Sequence, residues 1–284
     1  MEILSWNIQA GLGCDGKLDL ARIAGDIKAF GDPDVICLQE VARHCEELDG
    51  TSSADQAVTL AMLFPDHEPV YGAGFDQVGR APDRRRQFGN LLLSRLPLLQ
   101  VFHHILPNPT DPGVARMSRV AVEVVVEGDV GPLRLITTHL AYHSTLQRLA
   151  QVRRLRALTA EVAGALREPS LDRPGTPFAQ ASHPASSVFC GDFNLVPGSP
   201  EYDEMLAPFD DGTPAILDAW SVIHGEKPHD PTCGIFDREH WTEGPHCRDF
   251  FFITEDLALR AKALEVNLTS AASDHQPLRL VLAP

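Results

Sequence analysis

Apolar residues in this chain fall into short blocks, and polar residues gather where the blocks end. Residues 2–8 form one such block, closing in a polar turn. Over residues 17–30 the apolar positions Leu18, Ala21, Ile23, Ala24, Ile27 and Phe30 recur close to helical spacing. Residues 35–38 are a compact apolar run after Asp32-Pro33-Asp34, where the proline marks a turn. The opening therefore reads strand, helix, strand, and a second helix is expected over 54–64. Strands then dominate, at 91–93, 98–106, 119–126 and 133–138. Glu127-Gly128-Asp129 predicts a hairpin between the last two.

The longest helical pattern covers 145–167, with Leu146, Leu149, Val152, Leu155, Leu158, Val162 and Leu166 on its apolar positions. Its arginines Arg148, Arg153, Arg154 and Arg156 spread around the remainder and read as a solvated face. Residues 168–186 are rich in Pro, Ser and Ala and read as a surface loop. They are not a domain linker, because chemical motifs on both sides must converge. Strands at 187–190, 250–253, 263–268 and 278–282 close the chain, and no internal repeat is visible. Strand runs with interspersed helices fit a layered α/β or α+β architecture better than a strictly alternating barrel. The expectation is one catalytic domain over 1–284.

Composition changes this picture little. A chain of 284 residues can bury a sizeable core in one unit. With 44% hydrophobic and 22% charged residues, large-scale disorder is not expected. No apolar run approaches the roughly 18 residues that span a bilayer, so no membrane insertion is expected. The N-terminus lacks the basic start and apolar stretch of a secretory signal, which points to the cytoplasm and to reduced thiols for Cys14, Cys37, Cys45, Cys190, Cys233 and Cys247. No Cys-x-x-Cys pair is present to suggest structural zinc. Cys37 and Cys190 lie in strand-like runs and read as buried, inert thiols. The net charge of −15 disfavours charge-driven binding to long nucleic acid. It leaves a nuclease open, because a bound metal supplies positive charge locally.

The candidate chemistry sits at the ends of the apolar blocks. Asn7, Gln39-Glu40, Thr138-His139 and the Gly191-Asp192-Phe193-Asn194 segment each follow a strand, Arg248-Asp249 opens another, and Ser273-Asp274-His275 precedes the last. Loops held by a rigid sheet commonly carry binding and catalytic groups. Any one of these residues alone is ambiguous: Glu40 could be a solvated acid, Asp-x-Asn a turn and His139 a structural histidine. Their joint recurrence at strand edges is the signal. The residue types suit hydrolysis of a phosphate ester, which needs charge neutralisation at phosphoryl oxygens, a positioned water and protonation of a leaving oxygen. Hard oxygen ligands such as Glu40 and Asp274 suit Mg²⁺ or Mn²⁺. The amides of Asn7 and Asn194 can bind oxygens without adding negative charge.

Trp6-Asn7-Ile8, Leu38-Gln39-Glu40-Val41, Gly89-Asn90-Leu91-Leu92-Leu93-Ser94-Arg95, Thr138-His139-Leu140, Gly191-Asp192-Phe193-Asn194, Arg248-Asp249-Phe250 and Ser273-Asp274-His275 together resemble the endonuclease/exonuclease/phosphatase superfamily, in its order and across nearly the whole chain. That superfamily includes deoxyribonuclease I, abasic-site endonucleases, neutral sphingomyelinases, deadenylases and inositol polyphosphate phosphatases. The resemblance implies a four-layer sandwich of two mixed β-sheets packed face to face with helices outside. It implies Glu40 as principal metal ligand with Asn7 beside it, and Asp274 serving a metal. Asp192 would orient or deprotonate the attacking water, with Asn194 as its phosphate-binding companion. His275 would be a second imidazole oriented by Asp249. His139 resembles the histidine of the deoxyribonuclease and sphingomyelinase branches that meets the phosphate or assists the leaving group.

Departures narrow the branch. Gln9 stands where abasic-site endonucleases carry an acid, and Thr138-His139-Leu140 replaces their tyrosine-bearing segment. His246-Cys247-Arg248-Asp249 does not match the Trp-Cys-Asp-Arg signature of the inositol phosphatases. No carboxylate partner for His139 can be named from sequence. The expectation is a Mg²⁺-dependent phosphodiesterase acting on nucleic acid or a small phosphodiester. The alternatives are a phosphomonoesterase on an inositol, sugar or nucleotide phosphate, and a scaffold without activity. No protein partner is inferred. Among the weaker signals, Arg119, Asn90 and Trp241 are substrate-contact candidates, with Trp241 stacking on a base or sugar or packing on its own loop. Arg116 is a second arginine before the same strand as Arg119. Arg80, Arg84, Arg85 and Arg86 form a basic cluster that is either a solvated loop or a rim contact for phosphate.

Overall fold

The computed structural model describes residues 1–45, 55–79, 84–129 and 131–284. Ala54 of the expected second helix and Arg80 of the basic cluster lie outside these residues. In chain order the elements are β1 (Glu2–Asn7), α1 (Leu20–Phe30), β2 (Val35–Arg43), α2 (Gln56–Leu63), β3 (Glu68–Val78), β4 (Arg85–Ser94), β5 (Leu98–Ile105), β6 (Val120–Gly128), β7 (Gly131–His139), α3 (Thr145–Arg167), β8 (Ser187–Asp192), α4 (Pro200–Leu206), β9 (Ile216–Asp218), α5 (Ala219–His224), β10 (Asp249–Thr254), β11 (Ala261–Val266) and β12 (Leu278–Leu282). They form two six-stranded mixed sheets, ordered β11-β12-β1-β2-β4-β3 and β5-β6-β7-β8-β10-β9. Helices cover the outer faces, which makes the expected α/β sandwich.

Among the described residues each sheet has one parallel pair, and it lies at the sheet's centre: β1 with β2, and β7 with β8. Parallel neighbours need a crossover, and a helix supplies each one. α1 crosses from β1 to β2 and buries Leu20, Ile23, Ala24 and Ile27 against Leu4, Trp6, Ile36 and Leu38. Asp19 caps it by accepting the backbone N–H of Arg22. α3 crosses from β7 to β8 and packs Val152, Leu155 and Leu158 on Ile136, Phe189 and Phe252. Its cap is Ser144, whose side chain accepts from the backbone N–H of Gln147.

Period-2 alternation sorts every central strand into two rows. The inner rows include Ile3, Val35, Cys37, Val122, Val124, Leu133, Leu135, Val188, Cys190, Phe251 and Ile253, which form the core between the sheets. Continued to the strand ends, the same rows read Ser5-Asn7, Gln39, Thr137-His139, Asp192 and Asp249. The catalytic candidates are thus the polar rim of the inter-sheet core. They gather at the carboxyl ends of the parallel strands, where open α/β sheets place their ligands.

Several elements differ from expectation. β3 was not foreseen, because Pro69, Gly72 and Gly74 break its apolar pattern, and β9, α4 and α5 are too short for a periodic signal. β2 and β4 extend beyond their apolar cores, to Arg43 and back to Arg85. The hairpin between β6 and β7 pairs Gly128 with Gly131. Two arginines expected on a solvated face of α3 are structural. Arg148 donates to Glu201 Oε1 at 2.8 Å and to the carbonyls of Ala141 and Tyr142, and Arg156 donates to the carbonyls of Met205 and Ala207. Residues 168–186 carry no strand or helix and are mostly exposed, as expected of a surface loop. His183 at their end reaches Glu123 Oε1 at 2.7 Å. Glu123 lies on the helix side of the second sheet, where it also holds buried Arg134 (Nε–Oε1 2.7 Å) and His104 (3.0 Å). All six cysteines lie among the described residues, and none of them forms a disulfide there.

Candidate active site

Two backbone distortions build the site. Between Leu38↔Leu91 and Val41↔Gly89, residues Gln39 and Glu40 oppose the single residue Asn90. This bulge puts Glu40 at φ +59° and turns its carboxylate out of the alternation toward the cleft. Gln39 stays in the inner row, where its Nε2 donates across the sheets to Thr137 Oγ1 at 2.9 Å. At the end of β8, Gly191 has φ +136°, and a Cβ there would fall 1.9 Å from the carbonyl oxygen of Thr138. Only glycine lets β8 approach β7 this closely. That approach sets Asp192 opposite His139.

Asp192 is the hub. Its Oδ2 accepts from Asn7 Nδ2 at 3.0 Å and Asn194 Nδ2 at 3.3 Å, and its Oδ1 accepts from the Asn194 backbone N–H at 2.9 Å. His139 Nε2 lies 3.3 Å and His275 Nε2 3.8 Å from the same Oδ2. Asn7 Nδ2 also donates to Glu40 Oε1 at 3.0 Å, and His139 Nδ1 is 3.9 Å from that oxygen. The carboxylates near His139 are therefore Asp192 and Glu40. His275 Nδ1 donates to Asp249 Oδ2 at 2.8 Å, and the Thr232 hydroxyl donates to the same oxygen at 2.6 Å. Asp274 accepts from Trp241 Nε1 at 3.1 Å. Ser273 Oγ donates to the Asn7 carbonyl at 2.8 Å, tying the last motif to β1.

Electrostatics separate these groups. Burial pushes the Asp192 carboxyl up to about 7, against the pull of His275. Burial disfavours a charge on His275, but Asp249, Asp274 and Asp192 outweigh it and hold the imidazole well above its ordinary range. His139 is held well below its ordinary range by burial, reinforced by Arg119 and His275, and is neutral. Burial and then the facing charge of Asp274 raise Glu40. Burial lowers Arg119, whose Nε is shut away with no hydrogen-bond partner among the described residues.

The cleft above these groups measures about 250 Å³ and is lined by Glu40, Arg119, His139, Asp192, Asn194 and His275, with Asp274 and Trp241 at one side. Asn7 and Asp249 stand behind the lining and orient it. Asn90 does not line this cleft: it is buried and donates to the Val120 carbonyl at 2.9 Å, tying the two sheets together. Trp241 is 2% exposed, edge-on to His275 and Tyr142, so it is packed into the wall. His143 lies past the strand end, exposed and against Tyr142. Arg85 pairs with Asp76, and Arg86 donates to Gln77 and lies over Phe75. Sequence reasoning missed Tyr142, which lines the cleft without belonging to any motif. It also did not link Thr232 to Asp249, whose carboxylate its hydroxyl fixes.

Two donor sets are suited to a metal. Asp192, Asp249 and His275 offer ligand atoms within 4.8 Å of one another, close enough to hold an ion. Glu40 and Asp274 face each other at the cleft, with the Asn7 amide beside Glu40, and these hard oxygen donors fit a divalent cation.

Known proteins give the same architecture. Solved structures similar over all of this chain include an endonuclease/exonuclease/phosphatase from Beutenbergia cavernae (TM-score 0.67, 23% identity, 72% of that chain covered) and a Bacteroides thetaiotaomicron mannosyl-6-phosphatase (0.68, 15%, 100%). A truncated Caenorhabditis elegans TDP2 is similar as well (0.62, 18%, 97%). At these identities the likeness is one of fold. No curated protein matches the chain. The model of the Endonuclease/Exonuclease/phosphatase family matches residues 4–275, and with its elements converging on one cleft the chain belongs to that family of phosphoester hydrolases.

Proposed function

We propose that this protein is a divalent-metal-dependent phosphodiesterase that hydrolyses a nucleic acid or small phosphodiester by attack of an activated water. The observation that carries the reading is the split between the two imidazoles that flank Asp192. His139 Nε2, 3.3 Å from its Oδ2, is held well below the ordinary range and His275 Nε2, 3.8 Å away, well above it, while burial pushes Asp192 itself up to about 7. Groups pushed apart in this way mark different roles.

Asp192 takes the proton of the attacking water, and Asn7 and Asn194 fix its carboxylate by donating to it. His275, kept protonated and aimed by Asp249, donates to a phosphoryl oxygen. Neutral His139 offers a second hydrogen bond on the β7 side. Arg119 feels the charges of Glu40 and Asp192 without an ion pair to either at bonding distance among the described residues, which leaves it available to the phosphate. Glu40 and Asp274, with Asn7 beside them, would hold Mg²⁺ or Mn²⁺. The ion would supply positive charge to the phosphoryl and leaving oxygens. Those acids suit the ion better than the Asp192 trio, because both oxygens of Asp192 already accept hydrogen bonds from Asn7 and Asn194.

The test is turnover of bis(p-nitrophenyl) phosphate and nicking of supercoiled plasmid, with Mg²⁺, with Mn²⁺ and with EDTA, beside Asp192→Ala. Metal-dependent turnover that falls at least ~100-fold in a folded Asp192→Ala supports the roles given. Unchanged activity in that variant refutes the role of Asp192. Turnover of phosphomonoesters alone would assign the protein to the phosphatase side of its family.

A further inference from the structure

The cleft does not end at the catalytic groups. It opens past Arg119, Tyr142 and His143 into a second recess of about 210 Å³. That recess runs on past Arg116 and Met117 into a third, of about 450 Å³, bounded by Phe75, Gln77, Arg86 and Asn108. Among the described residues no carboxylate lines either extension, although the chain carries 39 acidic residues against 24 basic ones. Three arginines follow one another along the trough: Arg119, Arg116 and Arg86. Arg116 is exposed, and neither it nor Arg119 has an acidic partner within ion-pair distance among the described residues. The arginines at positions 22, 43, 95, 134 and 148 all have one.

The segment is rigidly placed. At the β3 bulge, Gly74 brings its backbone so near Ser118 that a Cβ there would lie 2.7 Å from the Ser118 carbonyl oxygen. The middle recess also has aromatic rings in its wall, Tyr142 and the exposed His143, whereas Phe75 in the far recess is already covered by Phe88 and Arg86. A trough of successive cations with an aromatic wall matches how single strands are held, with charge along the backbone and stacking under the bases.

Resting on the phosphodiesterase reading, we propose that this trough binds the nucleotides flanking the scissile bond of a single-stranded nucleic acid, with the neighbouring phosphate on Arg116. A small phosphodiester fills the catalytic cleft and does not reach Arg116.

The experiment is fluorescence anisotropy with a labelled eight-nucleotide DNA strand in EDTA, across a salt series, on the wild type and on Arg116→Gln. The side chain removed is exposed and makes no ion pair among the described residues, so the fold is not at stake. The variant is expected to bind about tenfold more weakly at low salt, and its slope of log affinity against log salt should shrink by about 0.7, as follows when one phosphate fewer is neutralised on a single strand. Its turnover of bis(p-nitrophenyl) phosphate should match the wild type. Equal binding and equal salt slopes overturn the proposal, as does a wild type that does not bind the strand. An equal loss on the small ester would also overturn it, by making Arg116 part of the cleft itself. A wild type that turns over no ester strikes the phosphodiesterase reading instead, and the binding series still decides the trough.

Discussion

Glu123→Leu should destabilise this protein severely without touching its chemistry. Arg134 is fully buried and makes a two-point contact with Glu123, Nε to Oε1 at 2.7 Å and Nη2 to Oε2 at 3.3 Å. Its Nη1 has no partner among the described residues. Leucine would strand a guanidinium out of water with nothing opposite it. Breaking a buried ion pair from one side costs about 3–5 kcal/mol, which for a chain this long lowers the melting midpoint by roughly 5–8 °C. The double variant Glu123→Leu/Arg134→Met removes both charges and should recover most of that loss, because an apolar pair of similar volume is about neutral. Differential scanning fluorimetry at pH 7 reads both variants, and specific activity of the folded protein should be unchanged. The pH dependence follows with a definite sign. Despite burial, His104, His183 and Arg134 hold the Glu123 carboxyl well below its ordinary 4.5. Folded, it binds its proton more weakly than unfolded. Its contribution is therefore fully present above about pH 4.5 and is lost as pH falls below that. The wild type should lose stability there more steeply than the double variant. A single variant that melts within about 1 kcal/mol of wild type, or a double variant no better than the single, would falsify the claim that each charge of this pair depends on the other.

Three further outcomes concern the cleft. Gly191→Ala should fold poorly or lose at least about 3 kcal/mol, because its Cβ would lie 1.9 Å from the Thr138 carbonyl oxygen at φ +136°; a chemical-denaturation curve like that of wild type would refute this. Asp249→Asn should lower kcat by about 100-fold or more with little change in KM, since it takes the orienting charge from His275 and leaves the cleft lining intact, as steady-state kinetics will read. Addition of Mg²⁺ at about 100 times its Kd should stabilise the wild type by roughly 2.7 kcal/mol in a thermal melt and Glu40→Gln by much less; equal shifts would remove Glu40 as the ligand.

Much of the fold could be read from the chain because most buried strands are short apolar blocks and the catalytic candidates stand at their ends. Val35–Leu38 and Leu278–Leu282 announce themselves, as do the long crossover α3 and the short α1. β3 did not, since Pro69, Gly72 and Gly74 erase its alternation and only pairing with β4 makes it a strand. Asp192, His139, His275 and Glu40 were nameable in sequence because they stand in motifs. Their protonation was not, because it depends on burial and on who faces whom. The partners of His139 and the hydroxyl of Thr232 come from distant segments, and no spacing rule links them. Asn90 illustrates the opposite failure: a motif residue whose amide serves the joint between the sheets. Arg148 was misplaced for a related reason, since a charged residue on a helix looks solvated until the carbonyls it caps are known.

Among the described residues the two sheets share no strand, and polar side chains bridge them near the cleft: Gln39 to Thr137, Asn90 to the Val120 carbonyl, and Asn7 to Asp192. Mechanically the protein is a pair of plates whose chemistry lies on the seam. A slip of one plate by even an ångström leaves every hydrogen bond within each sheet intact, yet parts Asn7 from Asp192, and misplacements of that size cost about 100-fold in rate. Catalytic output is therefore a finer gauge of plate alignment than any measure of secondary structure, and on gentle heating it should fade while the circular dichroism of both sheets still holds.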